Sequence, residues 1–263
     1  MLDCALNAAH AAGQEILKIY TSGKMNVNDK SDGSPVTDAD LRAHAVIENI
    51  LKLSSYPILS EESVVPFEDR INWHSFWLVD PLDGTKDFID GNGEFTVNIA
   101  FIENGIPVIG VVSAPALKKT WYASIGAGAW QIYAGKKSPI KALAPWPAES
   151  RMFTSRFHDV PASLEFGRLN GVVHHIPAGS ALKLAKIAAS EGEFYPRFAG
   201  TSEWDTAAGD AIIREAGGFM RTIYGDLPKY NKPNLKNPYF IAWRPPLDWE
   251  HIMINYKELK NEC

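Results

Sequence analysis

Apolar side chains recur at helical spacing from the first residues of the chain. Ala5, Leu6, Ala9, Ala12, Ile16, Ile19 and Tyr20 line one face of an amphipathic helix predicted over residues 3–22, and Gly23 supplies a stop. A polar stretch, Lys24 to Pro35, follows, and Asp29, Asp32, Gly33 and Pro35 mark it as a loop. The spacing predicts a second helix from about Thr37 to Leu53, with Leu41, Ala45, Val46, Ile50 and Leu51 on its apolar side. Pro57-Ile58-Leu59 then leads into Ser60-Glu61-Glu62-Ser63.

From Phe76 the period changes. Phe76-Trp77-Leu78-Val79 is a short apolar run that stops at Asp80-Pro81, and Phe95 to Ile102 is rich in strand formers. Glu103-Asn104-Gly105 signals a tight hairpin before Ile106 to Val112. Thr120 to Ala123 and Ala129 to Tyr133 continue an antiparallel meander. Ala144-Pro145-Trp146-Pro147 is the best internal boundary, and beyond it strands and helices alternate. Strands are expected at Met152-Phe153-Thr154, Val172-Val173, Phe194-Tyr195 and Tyr239 to Trp243. Helices are expected over Ala162 to Leu169, Ser180 to Ala189, Trp204 to Ala216 and Leu247 to Leu259. Such alternation argues for α/β layers in the second half.

Charge and composition narrow the function. Lys plus Arg is 26 against 31 Asp plus Glu, a formal net charge of −5, which is a poor basis for binding a nucleic-acid polymer. No apolar stretch approaches the ~18 residues of a membrane span, and the start of the chain does not read as a signal peptide. Two cysteines, Cys4 and Cys263, can build neither a disulfide framework nor a thiolate metal site, so a reduced, cytoplasmic protein is expected.

Three acidic motifs stand out: Ser60-Glu61-Glu62-Ser63, Asp80-Pro81-Leu82-Asp83-Gly84-Thr85-Lys86-Asp87-Phe88, and Glu203-Trp204-Asp205-Thr206-Ala207-Ala208-Gly209. Asp80 and Asp83, three apart across a proline turn, can converge on one point, with the Leu82 carbonyl facing the same way. Clustered carboxylates repel unless a cation lies between them. An all-oxygen donor set suits Mg²⁺, Mn²⁺ or Ca²⁺ rather than zinc. Thr85 adds a hydroxyl, and a helix beginning there would offer N–H groups to a phosphate. Each motif also has a plainer explanation. Asp-x-x-Asp-Gly is a common turn, Glu61-Glu62 a solvated loop, and Asp205 a complement to a helix dipole. Thr37-x-x-Asp40 fits a capping box. The histidines show no ligand spacing, and His174-His175 reads as strand-end surface.

Taken together, the segments resemble the inositol monophosphatase superfamily of Mg²⁺-dependent, lithium-sensitive phosphatases. The resemblance runs from Gly33-Ser34-Pro35-Val36-Thr37-Asp38-Ala39-Asp40 to Gly217-Gly218, with the Asp80 and Trp204-Asp205 motifs about 120 residues apart and in the right order. Within the superfamily the chain is most similar to the bacterial 3'(2'),5'-bisphosphate nucleotidases of the CysQ type. Lys86-Asp87-Phe88 stands where inositol monophosphatases usually carry Thr-Asn-Phe. Gly179-Ser180-Ala181-Leu182-Lys183, Tyr195-Pro196-Arg197-Phe198 and the Trp204 motif also take the nucleotidase form. Ser155-Arg156-Phe157-His158 matches the family's Ser-Arg-Ser-His only in part, and Asp38 is an additional acid.

The resemblance implies a layered αβαβα sandwich of the inositol monophosphatase and fructose-1,6-bisphosphatase type. Residues 1–146 would carry the metal motifs and residues 147–263 the substrate side. It implies Glu61, Asp80, the Leu82 carbonyl, Asp83 and Asp205 as ligands of two or three Mg²⁺ ions, with Asp40 and Thr85 orienting and deprotonating the attacking water. Substrate contacts would come from Gly84, Thr85, Lys86, Ser155, Gly179, Ser180, Lys183, Arg197, Trp204 and Asp205, with Phe198 or Trp204 against an adenine ring. The expected reaction is hydrolysis of 3'-phosphoadenosine 5'-phosphate to AMP and phosphate, clearing a by-product of sulfate assimilation. Its partner would be a small nucleotide, and there is room for a homodimer and for peripheral attachment to the inner membrane. Two alternatives stay open: a phosphatase for inositol phosphate or another sugar phosphate, and a silent metal-binding interaction protein.

Overall fold

The computed structural model describes residues 1–29, 35–143, 145–156 and 160–252. The first helix, α1 (Leu2–Ser22), ends as expected where Gly23 turns left-handed at φ 64°. The stretch expected as a loop instead holds two short strands, β1 (Val27–Asp29) and β2 (Pro35–Thr37), paired antiparallel with Asn28 opposite Val36. Three-residue strands are too short for alternation to register against their polar setting. Asp32, Gly33 and Ser34 lie outside the described residues. Helix α2 (Asp38–Leu51) starts on the expected capping box at Thr37 and gives way to a 3-10 turn, so it stops short of Leu53.

A seven-stranded sheet follows. Strand β3 (Ile58–Ser60), not anticipated, lies parallel to β4 (Ser75–Asp83), and a short α3 (Phe67–Arg70) connects them. Strand β4 runs past Asp80-Pro81, where the sequence placed its end. Pro81 has no N–H for the ladder, and an extra residue is accommodated as the register shifts between Asp80 and Asp83. A one-and-a-half-turn helix, α4 (Thr85–Ile89), leads to β5 (Thr96–Glu103) and β6 (Ile106–Ala114). Their hairpin has positive φ at both Asn104 and Gly105, as a two-residue turn of this kind requires. Strands β7 (Lys119–Ser124), β8 (Ala129–Tyr133) and β9 (Lys136–Ile140) complete the meander. Strand β9 escaped the sequence reading because its lysines and Pro139 suit an edge and look like a loop.

The second half forms a five-stranded sheet. Strand β10 (Arg151–Ser155), helix α5 (Val160–Leu169), strand β11 (His174–Ala178), helix α6 (Leu182–Ala188) and strand β12 (Phe194–Arg197) alternate as expected, and β10 pairs in parallel with both neighbours. Val172 and Val173, expected as a strand, lie in the turn around left-handed Gly171. The strand begins at exposed His174, where edge polarity hid it. Helix α7 (Glu203–Ala216) ends at left-handed Gly217 and leads to β13 (Phe219–Thr222), another strand the sequence did not suggest, and to β14 (Phe240–Trp243). The closing helix begins at 249–252, and residues 253–259 of that expectation lie outside the described residues.

The layers follow from where each face is buried. Ala9, Ala12 and Ile16 of α1 and Ile47 of α2 pack on Trp77, Val79 and Phe101 of the large sheet. On its other face Leu78, Val112 and Trp121 meet Leu184 of α6 and Ala208 and Ile212 of α7. The outer face of the smaller sheet packs Phe166 of α5 on Phe194 and Trp243. The result is the expected αβαβα sandwich. Helix α7 sits tight on β6 because Gly110 has no side chain: a Cβ there would lie 2.3 Å from the Ala208 carbonyl oxygen. No described helix is long and apolar enough to cross a membrane.

Candidate active site

The acidic motifs converge where α7 begins, above the bulged end of β4. Glu61 follows β3, whose parallel pairing sets Ser60 beside Val79, and the Glu61 N–H donates to the Val79 carbonyl at 3.1 Å. That register brings Glu61 level with Asp80. The Leu82 N–H donates to Asp80 Oδ1 at 3.0 Å, closing the proline turn. Asp205 arrives from the other half as the third residue of α7, and its Oδ2 accepts the Ser202 N–H at 2.8 Å in a capping box. Glu61, Asp80 and Asp205 thereby each bring a carboxylate oxygen within 4.8 Å of the others. Asp83 is held from two sides: the Ala181 N–H donates to its Oδ2 at 2.6 Å and Asn98 Nδ2 at 3.2 Å.

Asp40 repeats the capping device at α2, and it does more than cap. Its Oδ2 accepts from the Thr37 N–H at 2.7 Å and the Thr37 hydroxyl at 2.6 Å. Its Oδ1 lies 3.3 Å from the Thr85 hydroxyl, which is also 3.3 Å from the Leu82 carbonyl. The two explanations offered for Asp40 by the sequence are therefore not exclusive. A threonine has one hydroxyl hydrogen, so Thr85 donates to one of these oxygens at a time and keeps lone pairs for another donor.

The electrostatics are those of crowded acids. Burial, with repulsion from Glu61, Asp83, Asp205 and Asp40 added, pushes the Asp80 carboxyl well above its ordinary range. Burial and the Asp83 charge push Asp205 up to about 8. Burial raises Asp83 to about 6 against the opposing charge of Lys183. Burial raises Asp40 to about 6 despite the hydrogen bonds from Thr37. A cluster of oxygen donors that resists full ionisation by itself fits a hard divalent cation, which restores the missing positive charge.

A pH-dependent stability follows. These carboxyls have folded-state pKa values above the unfolded value of 3.8, so the folded state holds more protons and metal-free stability falls as pH rises from about 4 to about 8. Mg²⁺ should replace those protons. At a concentration 100-fold above Kd the expected gain at pH 8 is about 2.7 kcal/mol, or about 5–10 °C in Tm. Melting curves with EDTA and with Mg²⁺ at pH 5.5 and pH 8 check this. The Mg²⁺ gain should shrink at the lower pH, and a larger gain at pH 5.5 would contradict the cluster's role.

A cleft of about 250 Å³ opens beside the cluster. Among the expected substrate contacts, Gly84, Thr85, Lys86, Ser155, Gly179, Ser180, Lys183, Arg197 and Asp205 line it. Gly84 turns left-handed at φ 89° and caps α4, which starts at Thr85 as expected. Lys183 is buried rather than solvated. Its Nζ donates to the Ala178 and Ser180 carbonyls at 2.9 and 2.7 Å, and burial lowers its pKa to about 8. Arg197 donates to the Gly200 carbonyl at 3.2 Å, but its buried Nε has no partner. The Ser180 hydroxyl is also buried without one, on a residue strained to φ 46°.

Trp204 and Phe198 are not among the residues that line the cleft. Trp204 packs against the core between the sheets, and Phe198 lies in the outer core with its ring 5.7 Å from that of Phe166. Phe198 is buried and Trp204 half-buried, and Leu184, Tyr195 and Phe240 supply the cleft's apolar wall. Tyr195 was within reach of sequence reasoning, since it shares a strand face with Arg197 two residues on. Asp87 and Arg156 also line the cleft, unassigned although both sit inside quoted motifs. Phe157 and His158 lie outside the described residues.

The geometry defines a phosphatase-type acidic site between two sheets, and comparisons place it. The profile of the Inositol monophosphatase family matches residues 1–254, and the chain belongs to that family. The 3'(2'),5'-bisphosphate nucleotidase CysQ of Salmonella typhimurium is 42% identical over 91% of this chain and 98% of its own. That of Escherichia coli K12 is 40% identical over the same shares. Among solved structures, CysQ from Bacteroides thetaiotaomicron superposes with a TM-score of 0.83 at 36% identity, covering 94% of this chain and 97% of that one. The Thermotoga maritima IMPase gives 0.82 at 27% identity, covering 99% and 98%.

Proposed function

We propose that the chain is a Mg²⁺-dependent 3'(2'),5'-bisphosphate nucleotidase that hydrolyses the 3'-phosphate of 3'-phosphoadenosine 5'-phosphate to AMP and phosphate. The observation that carries this reading is one cleft lined both by Glu61, Asp83 and Asp205 of the acidic site and by buried Lys183 and Arg197. A substrate with one phosphate needs only the first. The CysQ relatives, alike over nine-tenths of the chain, support the same substrate. The place of such an enzyme is the cytoplasm, removing a by-product of sulfate assimilation.

Glu61, Asp80, the Leu82 carbonyl, Asp83 and Asp205 would hold two or three Mg²⁺ ions, in keeping with the family's metal dependence. Bound there, the cations supply the charge neutralisation that phosphoryl transfer chiefly needs. Thr85 orients the attacking water by accepting its hydrogen bond while donating its own to Asp40. Asp40, with a pKa of about 6, then receives the water's proton through that hydroxyl close to neutral pH. The N–H groups that open α4 and the exposed Lys86 face the phosphate to be cleaved. Lys183, Arg197 and the Ser180 hydroxyl take the phosphate that stays, and Leu184, Tyr195 and Phe240 flank the base. In this division residues 1–146 supply most of the metal ligands and the groups facing the cleaved phosphate, and residues 147–263 supply Asp205 and the contacts to the phosphate that stays.

The second phosphate is the testable part. Contacts to a charged group are worth about 1.5–3 kcal/mol each, so Arg197→Ala should lower kcat/KM for 3'-phosphoadenosine 5'-phosphate by about 10–100-fold. Adenosine 3'-monophosphate, which lacks the 5'-phosphate, should lose little. The ratio of the two substrates within each variant cancels any loss of folded protein. An unchanged ratio in Arg197→Ala would remove this residue from substrate recognition.

A further inference from the structure

Glu94 lies just outside the cleft, and nothing in the reaction requires it. It ties its own segment to the loop after β11 and to the residue after β10, two strands already paired where Ser155 faces Ala178. Its Oε2 accepts the Gly179 N–H at 2.8 Å from the loop between β11 and α6. The same oxygen accepts from Arg156 Nη2 at 2.5 Å, from the end of β10. Arg156 also pairs through Nε with Asp87 Oδ1 at 3.4 Å. On its own side Glu94 is fixed, because its N–H donates to Asn92 Oδ1 at 2.8 Å and Asn92 Nδ2 donates to Asp87 Oδ1 at 2.6 Å.

The clasp is close enough to dictate residue type. A Cβ on Gly179 would lie 2.6 Å from both Asp87 Oδ2 and the Glu94 carbonyl oxygen, so only glycine lets the loop approach. Two residues further along that loop, the Ala181 N–H makes its 2.6 Å bond to Asp83. Between them sits Ser180, held at φ 46°, a conformation that costs free energy unless its surroundings impose it.

We propose that Glu94 is a positioning residue that, with Arg156, clamps the Gly179–Ala181 loop onto the first half of the chain and so fixes the Asp83 carboxylate for a divalent cation. The proposal rests on the metal-dependent reading of the acidic cluster but not on which phosphate ester is cleaved. Partners behind a ligand residue commonly set metal affinity by 10–100-fold. Removing the clasp leaves the ligands in the chain but frees the loop that orients one of them.

The test is a Mg²⁺ titration of the full chain, freed of metal with EDTA and followed by thermal shift without substrate. Glu94→Ala should raise the Mg²⁺ concentration for half-maximal stabilisation by about tenfold. Glu94→Gln, which keeps an oxygen for the Gly179 N–H, should restore most of it. Lys18→Ala, which breaks an exposed pair with Glu15 on α1, should leave the titration unchanged. Should Glu94→Ala fold poorly, Arg156→Ala carries the same expectation in the same direction. A half-saturation within twofold of wild type in both alanine variants overturns the proposal, as does a Gln variant no better than Ala. Parallel assays on 3'-phosphoadenosine 5'-phosphate separate the two failures. If wild type does not cleave it, the substrate assignment is wrong while the Mg²⁺ titration still judges the clasp.

Discussion

Asp80→Asn should stabilise the metal-free protein and nearly abolish its turnover. Asp80 is 1% exposed, and its charge is opposed by burial and by Glu61, Asp83, Asp205 and Asp40. The amide keeps an oxygen for the Leu82 N–H, so the turn should survive. It also removes a buried carboxylate that resists ionisation, so the EDTA-treated variant should melt several degrees higher than wild type at pH 8. Activity should move the other way. Loss of one preorganised contact to developing charge typically costs 10²–10³ in kcat, and loss of a central ligand should cost about 10³ or more. Differential melting in EDTA and in Mg²⁺, beside kcat, checks both halves. A variant that melts lower in EDTA, or turns over within tenfold of wild type, would mean that Asp80 serves the fold rather than the chemistry.

The same residue shows what the sequence could and could not disclose. The Asp80 and Trp204-Asp205 motifs pointed to an acidic centre through residue type and order, and those acids do meet. The apolar run before Asp80 suggested a strand that ends there. In the structure the strand continues through Asp83, because a single inserted residue lets it pass Pro81 while turning both carboxylates to one side. Bulges depend on the partner strand, and no local pattern encodes them. Long amphipathic elements such as α1 and α7 were legible because many positions vote for one face. Strands β1, β3 and β13 were not, since three or four residues give alternation too little room. For Trp204 and Phe198 residue type alone does not choose between nucleobase and core, because an aromatic ring suits both equally. Which it joins is decided by neighbours far away in sequence.

Asp40 and Thr85 should behave as one unit in turnover and as two in stability. Thr85→Ala removes the hydroxyl that lies 3.3 Å from Asp40 Oδ1 and leaves the Thr37 cap untouched. It should therefore lower kcat by about 10²–10⁴, the usual scale of general-base assistance, with Tm nearly unchanged. Asp40→Asn should lower kcat to the same degree, and Asp40→Ala, which leaves the Thr37 N–H without its acceptor, should also cost about 1 kcal/mol of stability through the capping box. The double variant should be no slower than either single one, because groups that handle one proton together do not contribute additively. If Asp40→Ala loses stability while both Asp40 variants keep near-normal kcat, the capping role is the whole of its function and the proton goes elsewhere.

The most direct measurement is phosphate release, with product identified by chromatography, from 3'-phosphoadenosine 5'-phosphate and inositol 1-phosphate in Mg²⁺ and in EDTA. The distal phosphate should be expressed as turnover efficiency, so kcat/KM for the nucleotide should exceed that for the sugar phosphate by about 100-fold or more, from two charged contacts at the low end of their worth. AMP should be the nucleotide product, and EDTA should abolish both activities. Equal efficiency on inositol 1-phosphate, adenosine 3'-monophosphate as product, or full turnover in EDTA would each contradict the account.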